Sequence, residues 1–155
     1  MMRLDIVCVG RLKERHWRDA AAEYLKRLTP YARVQVAEVA DRDVSADEAR
    51  ALAAEAADIL KALPADAHVA VLEIGGAQRS SAGLAEWLDA HAVGGRGRVA
   101  FVIGGAAGLH PDVLARADER LSLGPLTLPH QLARVVLLEQ LYRAFRISRA
   151  EPYHR

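Results

Sequence analysis

The sequence has a single cysteine, almost no net charge and no long apolar run, and each scarcity excludes a class of protein. Cys8 alone cannot form an intramolecular disulfide or a cysteine metal cluster, and it fits a reducing cytosol. The 21 basic and 20 acidic residues nearly cancel, so bulk charge does not indicate a nucleic-acid-binding protein. No apolar run approaches the about 20 residues of a membrane span, and no signal peptide is recognisable. We expect a soluble, cytoplasmic protein with Cys8 packed in its core.

Length and composition predict one ordered domain. The chain has 155 residues, of which 52% are hydrophobic and 26% charged, as in ordinary globular proteins. This length suffices to bury a sizeable core, and no repeat, linker or low-complexity segment divides it. We therefore predict a single domain over residues 1–155.

Strand and helix patterns alternate along the chain. Short apolar runs, several closed by glycine, predict strands at residues 4–10, 33–39, 68–74, 98–103 and 120–123. Amphipathic spacing predicts helices over about 17–28, around 84–88 and over 130–147. A capping box of Ser45 and Glu48 predicts a further helix that ends at about residue 63. Pro111 predicts the start of a short helix. This alternation predicts an α/β fold, a mostly parallel sheet sandwiched by helices.

Three loops follow the third, fourth and fifth strands, where ligands of such folds bind. They are residues 75–81, the glycine-rich GGAAG at 104–108, and 124–129. The last two loops have no acidic residue or lysine, so they serve phosphate or metal poorly, and no phosphate-binding motif follows the first strand. Glycines and an apolar, proline-stiffened segment better suit a nucleoside such as adenosine. Alternatively, GGAAG is merely a tight turn, and Leu123, Leu126 and Leu128 pack under the last helix.

Basic residues cluster near the C-terminus. Arg143, Arg146 and Arg149 recur every three residues along one helical flank, which predicts either a solvated helix face or a ridge that contacts RNA phosphates. A second basic segment, RLKERHWR at 11–18, is typical of a solvated loop and helix start.

Three segments resemble a known family. FVIGGAAGL (101–109), LTLPHQLARVVLLEQLYRAFRI (126–147) and the terminal PYHR (152–155) are similar to the RlmH-type ribosomal RNA methyltransferases of the SPOUT superfamily. The resemblance extends over the whole chain in length and layout. It implies methyl transfer from S-adenosylmethionine to N3 of a pseudouridine in large-subunit (23S) ribosomal RNA, on assembled ribosomes. It also implies a homodimer and a C-terminal trefoil knot, which spacing does not reveal.

The resemblance also implies the residues of the cofactor site. By position, the methyl donor contacts Leu72, Gly104, Leu123, Gly124, Pro125, Leu126, Thr127 and Leu128. Two positions depart from the family pattern, since Glu73 stands where an Asp is common and Gly124 replaces a frequent serine. Gly124 offers its backbone but no hydroxyl.

Three residues of the tail are candidates for the chemistry. His154 is a candidate base for the N3 proton, while Arg155 or Arg143 could instead stabilise the resulting anion. Tyr153 could stack on an exposed base. Without the resemblance, a frayed chain end explains a terminus of this composition equally well. Two rival functions stay open: a non-catalytic ribosome-binding or assembly factor with the same fold, and a small flavodoxin-like nucleotide-binding enzyme.

Overall fold

The described residues form a five-stranded parallel sheet at the centre of the protein. The structure is a computed structural model that describes residues 1–93 and 97–153. The strand order is β2-β1-β4-β3-β5, and every neighbouring pair is parallel. The strands are β1 (Met2–Val9), β2 (Ala32–Val39), β3 (His68–Gln78), β4 (Arg98–Ile103) and β5 (Glu119–Ser122). The predicted α/β fold with a mostly parallel sheet is thereby confirmed.

Within the described residues, five helices cover both faces of this sheet. They are α1 (Arg15–Leu28), α2 (Glu48–Ala62), α3 (Ser81–Ala92), α4 (Pro111–Arg116) and α5 (His130–Ser148). Residues of α1, α3 and α5 share one apolar core with Leu4, Ile6 and Cys8 of β1. Residues of α2 and α4 share a second core with Val7 and Val9. Successive side chains of a strand point to opposite faces, so a strand covered on both faces is apolar throughout.

Cys8 is a core residue, as predicted. Its side chain is buried in the α1/α3/α5 face of the sheet. Burial raises the pKa of the Cys8 thiol to about 11, so the thiolate is scarce at neutral pH.

The predicted capping box at the start of α2 is wrong. The helix begins at Glu48, and Asp47 is its N-cap, with a side chain that accepts a hydrogen bond from the backbone N–H of Arg50. Ser45 lies before the helix, where its own N–H donates to the Asp43 carboxylate at 2.9 Å. Serine and aspartate are both favourable N-cap residues, and Asp47 takes this role because it directly precedes Glu48, the first residue of the helix.

The third strand is longer than predicted and does not end at Gly75 and Gly76. It continues to Gln78 because β5 offers it a further pairing, after a register shift between Leu72 and Ala77. Gly76 permits this close approach, since a Cβ there would lie 2.6 Å from the Arg120 carbonyl carbon. The predicted loop at 75–81 is therefore mostly strand, and α3 begins at Ser81.

No helix among the described residues is both long and apolar enough to cross a bilayer.

Candidate functional site

The carboxyl ends of the parallel strands meet at one edge of the sheet. In the order β1-β4-β3-β5, the segments that follow these strands lie side by side. They bring the Gly10 turn, the glycine loop at 104–108, Leu72 near the β3 irregularity, and the loop at 123–129 to a common edge. Because this is the ligand-binding edge of open α/β sheets, we treat it as the candidate site.

The loop at 123–129 presents backbone and apolar groups to solvent. The Ser122 hydroxyl closes its first turn, accepting from the N–H of Gly124 and donating to the Gly124 carbonyl, both at 3.1 Å. Gly124 has φ +121°, a backbone conformation that L side chains rarely adopt and that glycine adopts without strain. Leu126 is 78% exposed, while Leu123 and Leu128 are half-buried. The alternative in which all three leucines pack under the last helix is therefore wrong for Leu126.

The glycine loop after β4 is a tight turn packed against its neighbours. The N–H of Gly108 donates to the Gly105 carbonyl at 3.1 Å, and Gly108 has φ +81°. A Cβ on Gly104 would lie 2.9 Å from Leu109 Cδ2 and 3.0 Å from the Gly108 carbonyl oxygen. The turn interpretation is therefore correct, and the same turn lines the edge with main chain instead of side chains.

A carboxylate lies next to Leu72 at this edge. Leu72 is half-buried and pairs in register with Leu121. Its neighbour Glu73 has one oxygen, Oε2, 3.2 Å from an Arg120 guanidinium nitrogen in an ion pair. That buried oxygen accepts no hydrogen bond from the described residues, because the ion pair lacks hydrogen-bond geometry. Glu73, which in the sequence is only a departure from the family pattern, is thus held in an ion pair at this edge.

Arg134 fixes the start of α5 to the strand ends. It is 4% exposed, and its guanidinium donates to Glu38 Oε2 at 2.7 Å and to the Gly10 carbonyl at 3.0 Å. His130 is close to the same turn, since a Cβ added to Gly10 would lie 3.7 Å from His130 Nε2. These contacts hold the end of the 123–129 loop over the carboxyl edge. Helical periodicity in the sequence does not reveal this buried ion pair.

Three arginines at the end of α5 and directly after it make contacts within the chain. Arg143 pairs with Glu139 at 2.9 Å. Arg146 donates to Glu151, to the Tyr31 hydroxyl at 3.1 Å and to the Pro152 carbonyl at 3.0 Å. Arg149 lies over the Tyr31 ring, 4.6 Å from its centroid. These contacts fasten the C-terminal segment to α5, and RNA binding by the three arginines stays a prediction.

Tyr153 is held at the end of this segment. Its ring meets Tyr142 edge-on at 4.8 Å, and the Arg143 guanidinium lies 4.7 Å from its centroid. Burial raises the pKa of the Tyr153 phenol, so the group stays protonated at neutral pH. The candidate residues His154 and Arg155 lie outside the described residues.

A basic groove opens beside the end of β1. It measures about 630 Å³ and lies between α1 and β2. The exposed side chains of Arg11, Lys13 and Arg18 line it over a floor that includes the buried Leu12 and Leu138. Residues 11–18, which were predicted to form a solvated loop and helix start, therefore give this groove a positively charged side near the candidate site.

Comparisons with known proteins agree over nearly the whole chain. The family model of the predicted SPOUT methyltransferases matches residues 2–154. Ribosomal RNA large subunit methyltransferase H of Listeria welshimeri is 49% identical over 159 residues, covering 99% of this chain and 100% of the relative. The proteins of the same name from Bacillus cytotoxicus and Listeria monocytogenes serotype 4b are 48% and 50% identical, with the same coverage.

A solved structure shares the fold. The structure of a probable methylase family protein from Haemophilus influenzae superposes with a TM-score of 0.58 at 20% identity. The match covers 95% of this chain and 66% of that one.

Proposed function

Since the chain belongs to the SPOUT methyltransferase family, among its RlmH-type members, we propose that it methylates N3 of a pseudouridine in 23S ribosomal RNA, using S-adenosylmethionine. The observation that carries this proposal is full-length identity of about half to ribosomal RNA large subunit methyltransferase H. We propose further that the substrate is the assembled ribosome, that the protein is cytoplasmic, and that residues 1–155 form one domain.

The carboxyl edge suits the methyl donor. Adenosine needs an apolar slot and main-chain hydrogen-bonding groups, and the edge offers both in the glycine turn at 104 and the exposed loop at 123–128. We assign donor binding to Leu72, Gly104, Leu123, Gly124, Pro125, Leu126, Thr127 and Leu128. The nearby Glu73 carboxylate is already paired with Arg120, so donor binding depends on the main-chain and apolar groups of this edge.

The bound donor supplies a methyl group on a sulfonium: the bond from N3 to the methyl carbon forms as the methyl–sulfur bond breaks, and sulfur keeps the electron pair. The protein must align the base and remove its N3 proton. We propose that His154 accepts this proton and that Arg155 or Arg143 stabilises the anionic ring. We assign to Tyr153, whose ring lies 4.7 Å from the Arg143 guanidinium, the role of stacking on the base.

The proposed active form is a homodimer with a trefoil-knotted C-terminal region. Ile74 lies in β3 and Leu126 in the loop after the neighbouring β5, and their side chains are 57% and 78% exposed in the single chain. Exposed large apolar side chains at one edge favour burial against a partner. In a dimer, the tail of one subunit could complete the site of the other.

Incubation of the protein with label-bearing S-adenosylmethionine and undermethylated ribosomes tests this function. We expect one labelled pseudouridine in 23S RNA, located by mass spectrometry of the digested RNA. Salt-sensitive ribosome binding without donor binding or label transfer would instead identify a non-catalytic assembly factor. Titration with flavin is the control for a flavodoxin-like enzyme, and we expect no binding.

A further inference from the structure

A second cluster of chemically active side chains lies at the opposite, amino edge of the sheet. His68 is the first residue of β3, Glu119 is the first of β5, and His91 lies in the last turn of α3. The sequence prediction of no metal considered only the loops at the carboxyl edge. The proposed methyl-donor site uses none of these three residues.

The three side chains converge on one point. Glu119 Oε2 lies 2.5 Å from His68 Nε2 and 3.9 Å from His91 Nε2, and the two imidazole rings are 4.2 Å apart. One ligand atom from each residue fits within 4.8 Å of the others. A tetrahedral zinc ion with bonds of about 2.0–2.2 Å separates its ligand atoms by about 3.3–3.6 Å. The two distances from Glu119 Oε2 lie on either side of this range, and the three ligand atoms lie within 4.8 Å of one another, so side-chain movements of about 1–1.5 Å in total would complete a site.

Neighbouring groups hold the carboxylate and the rings in place. Trp87 Nε1 donates to Glu119 Oε2 and Arg79 donates to Glu119 Oε1, both at 2.8 Å. Asp118 Oδ2 lies 3.9 Å from His68 Nδ1, on the side where a carboxylate favours the tautomer that leaves Nε2 free to bind a metal. Outer partners of this kind orient the ligands of metal sites.

The site is partly open to water. The side chains of His68, His91 and Glu119 are 29%, 26% and 29% exposed, which leaves room for a water molecule as fourth ligand. Two imidazoles and one carboxylate suit zinc and similar transition metals, whereas magnesium and calcium prefer oxygen ligands alone. The Arg79 guanidinium on the same carboxylate weakens the attraction for a cation, so we expect moderate affinity.

We propose that His68, His91 and Glu119 bind one divalent transition metal ion, with zinc as the reference ion, and thereby join β3, β5 and α3 at the amino edge. Such a site stabilises the folded chain without taking part in methyl transfer.

The test uses the untagged full-length protein after chelator treatment. Competition against a chromophoric zinc chelator should show one zinc ion per chain, and cobalt should give the intense visible absorption of a tetrahedral site. Zinc at about 100-fold excess over its Kd should raise Tm by about 5 °C or more. His91→Phe keeps the aromatic packing but removes a ligand, and it should lose both the binding and the Tm increase.

The exposed His16 on α1 provides the matched control, since His16→Ala should bind zinc as the unmodified chain does. Glu119→Gln removes the carboxylate ligand and should also lose zinc binding; should it fail to fold, His91→Phe still decides the result. Absence of zinc binding, or equal zinc affinity in the His91→Phe variant, would overturn the proposal. Because S-adenosylmethionine binding is measured separately on the same preparations, failure here is distinct from failure of the proposed methyltransferase.

Discussion

Two adjacent glycines of β3, Gly75 and Gly76, should differ sharply in their tolerance of alanine. A Cβ on Gly76 would lie 2.6 Å from the carbonyl carbon and 2.7 Å from the oxygen of Arg120, and 2.8 Å from the Leu121 nitrogen. A Cβ on Gly75 would meet no atom of the described residues within 4 Å. The two substitutions are chemically identical and differ only in what the new methyl group contacts.

The size of the effect follows from these distances. Ordinary contact begins at 3.4 Å, so Gly76→Ala forces β3 and β5 apart by about 0.8 Å. The obstacle is backbone and cannot rotate away. Overpacking of this kind costs about 1–3 kcal/mol, and a weakened hydrogen bond between the strands adds about 1 kcal/mol. Summed, a loss of about 2–4 kcal/mol corresponds to a fall in Tm of about 5–15 °C for a chain of this length.

Urea unfolding and calorimetric titration with S-adenosylmethionine together test this reasoning. Because β5 leads directly into the loop at 123–128, Gly76→Ala should also weaken donor binding. Gly75→Ala should change stability by less than about 1 kcal/mol and leave donor affinity unchanged. Equal stability and donor affinity in the two variants would refute the role given to Gly76.

Three further variants probe other parts of the molecule. His154→Ala should abolish methylation of ribosomes while donor binding by calorimetry stays nearly intact, and full activity would remove His154 from the mechanism. Arg134→Ala should lower the free energy of unfolding in urea by about 2–4 kcal/mol, since it leaves Glu38 and a backbone carbonyl without their donor; a loss below about 0.5 kcal/mol would contradict this. Burial raises the pKa of Glu55 above its ordinary 4.5, so its ionisation costs stability as pH rises through the folded pKa. Glu55→Gln should therefore match the unmodified chain in acid and become the more stable protein towards pH 7, and a pH-independent difference would be inconsistent with that cause.

The strands and the last helix were predictable because their apolar patterns are strong. The fourth strand has the predicted bounds of Arg98–Ile103, since a strand buried on both faces is an uninterrupted apolar run. α5 begins at the predicted His130, directly after Pro129, because proline suits the entry to a helix. Part of the candidate site was also predictable, because the loops that follow parallel strands lie together at one edge of the sheet.

Other features depend on contacts that no local pattern contains. The extension of β3 through Gly75 and Gly76 exists because β5 pairs with it after a register shift. Arg134 occurs at a helical position like any other arginine, and only the tertiary fold places Glu38 beside it. For the same reason, sequence spacing did not bring together His68 and His91, which lie on different elements.

A crystal of the full-length protein soaked with S-adenosylhomocysteine tests the proposed pocket most directly. We expect the adenine ring within hydrogen-bonding distance of main-chain atoms of residues 123–128, with the ribose beside the glycine turn at Gly104. Density for the ligand at another place on the molecule, or no density under conditions where calorimetry shows saturation, would contradict the assignment of this edge of the sheet.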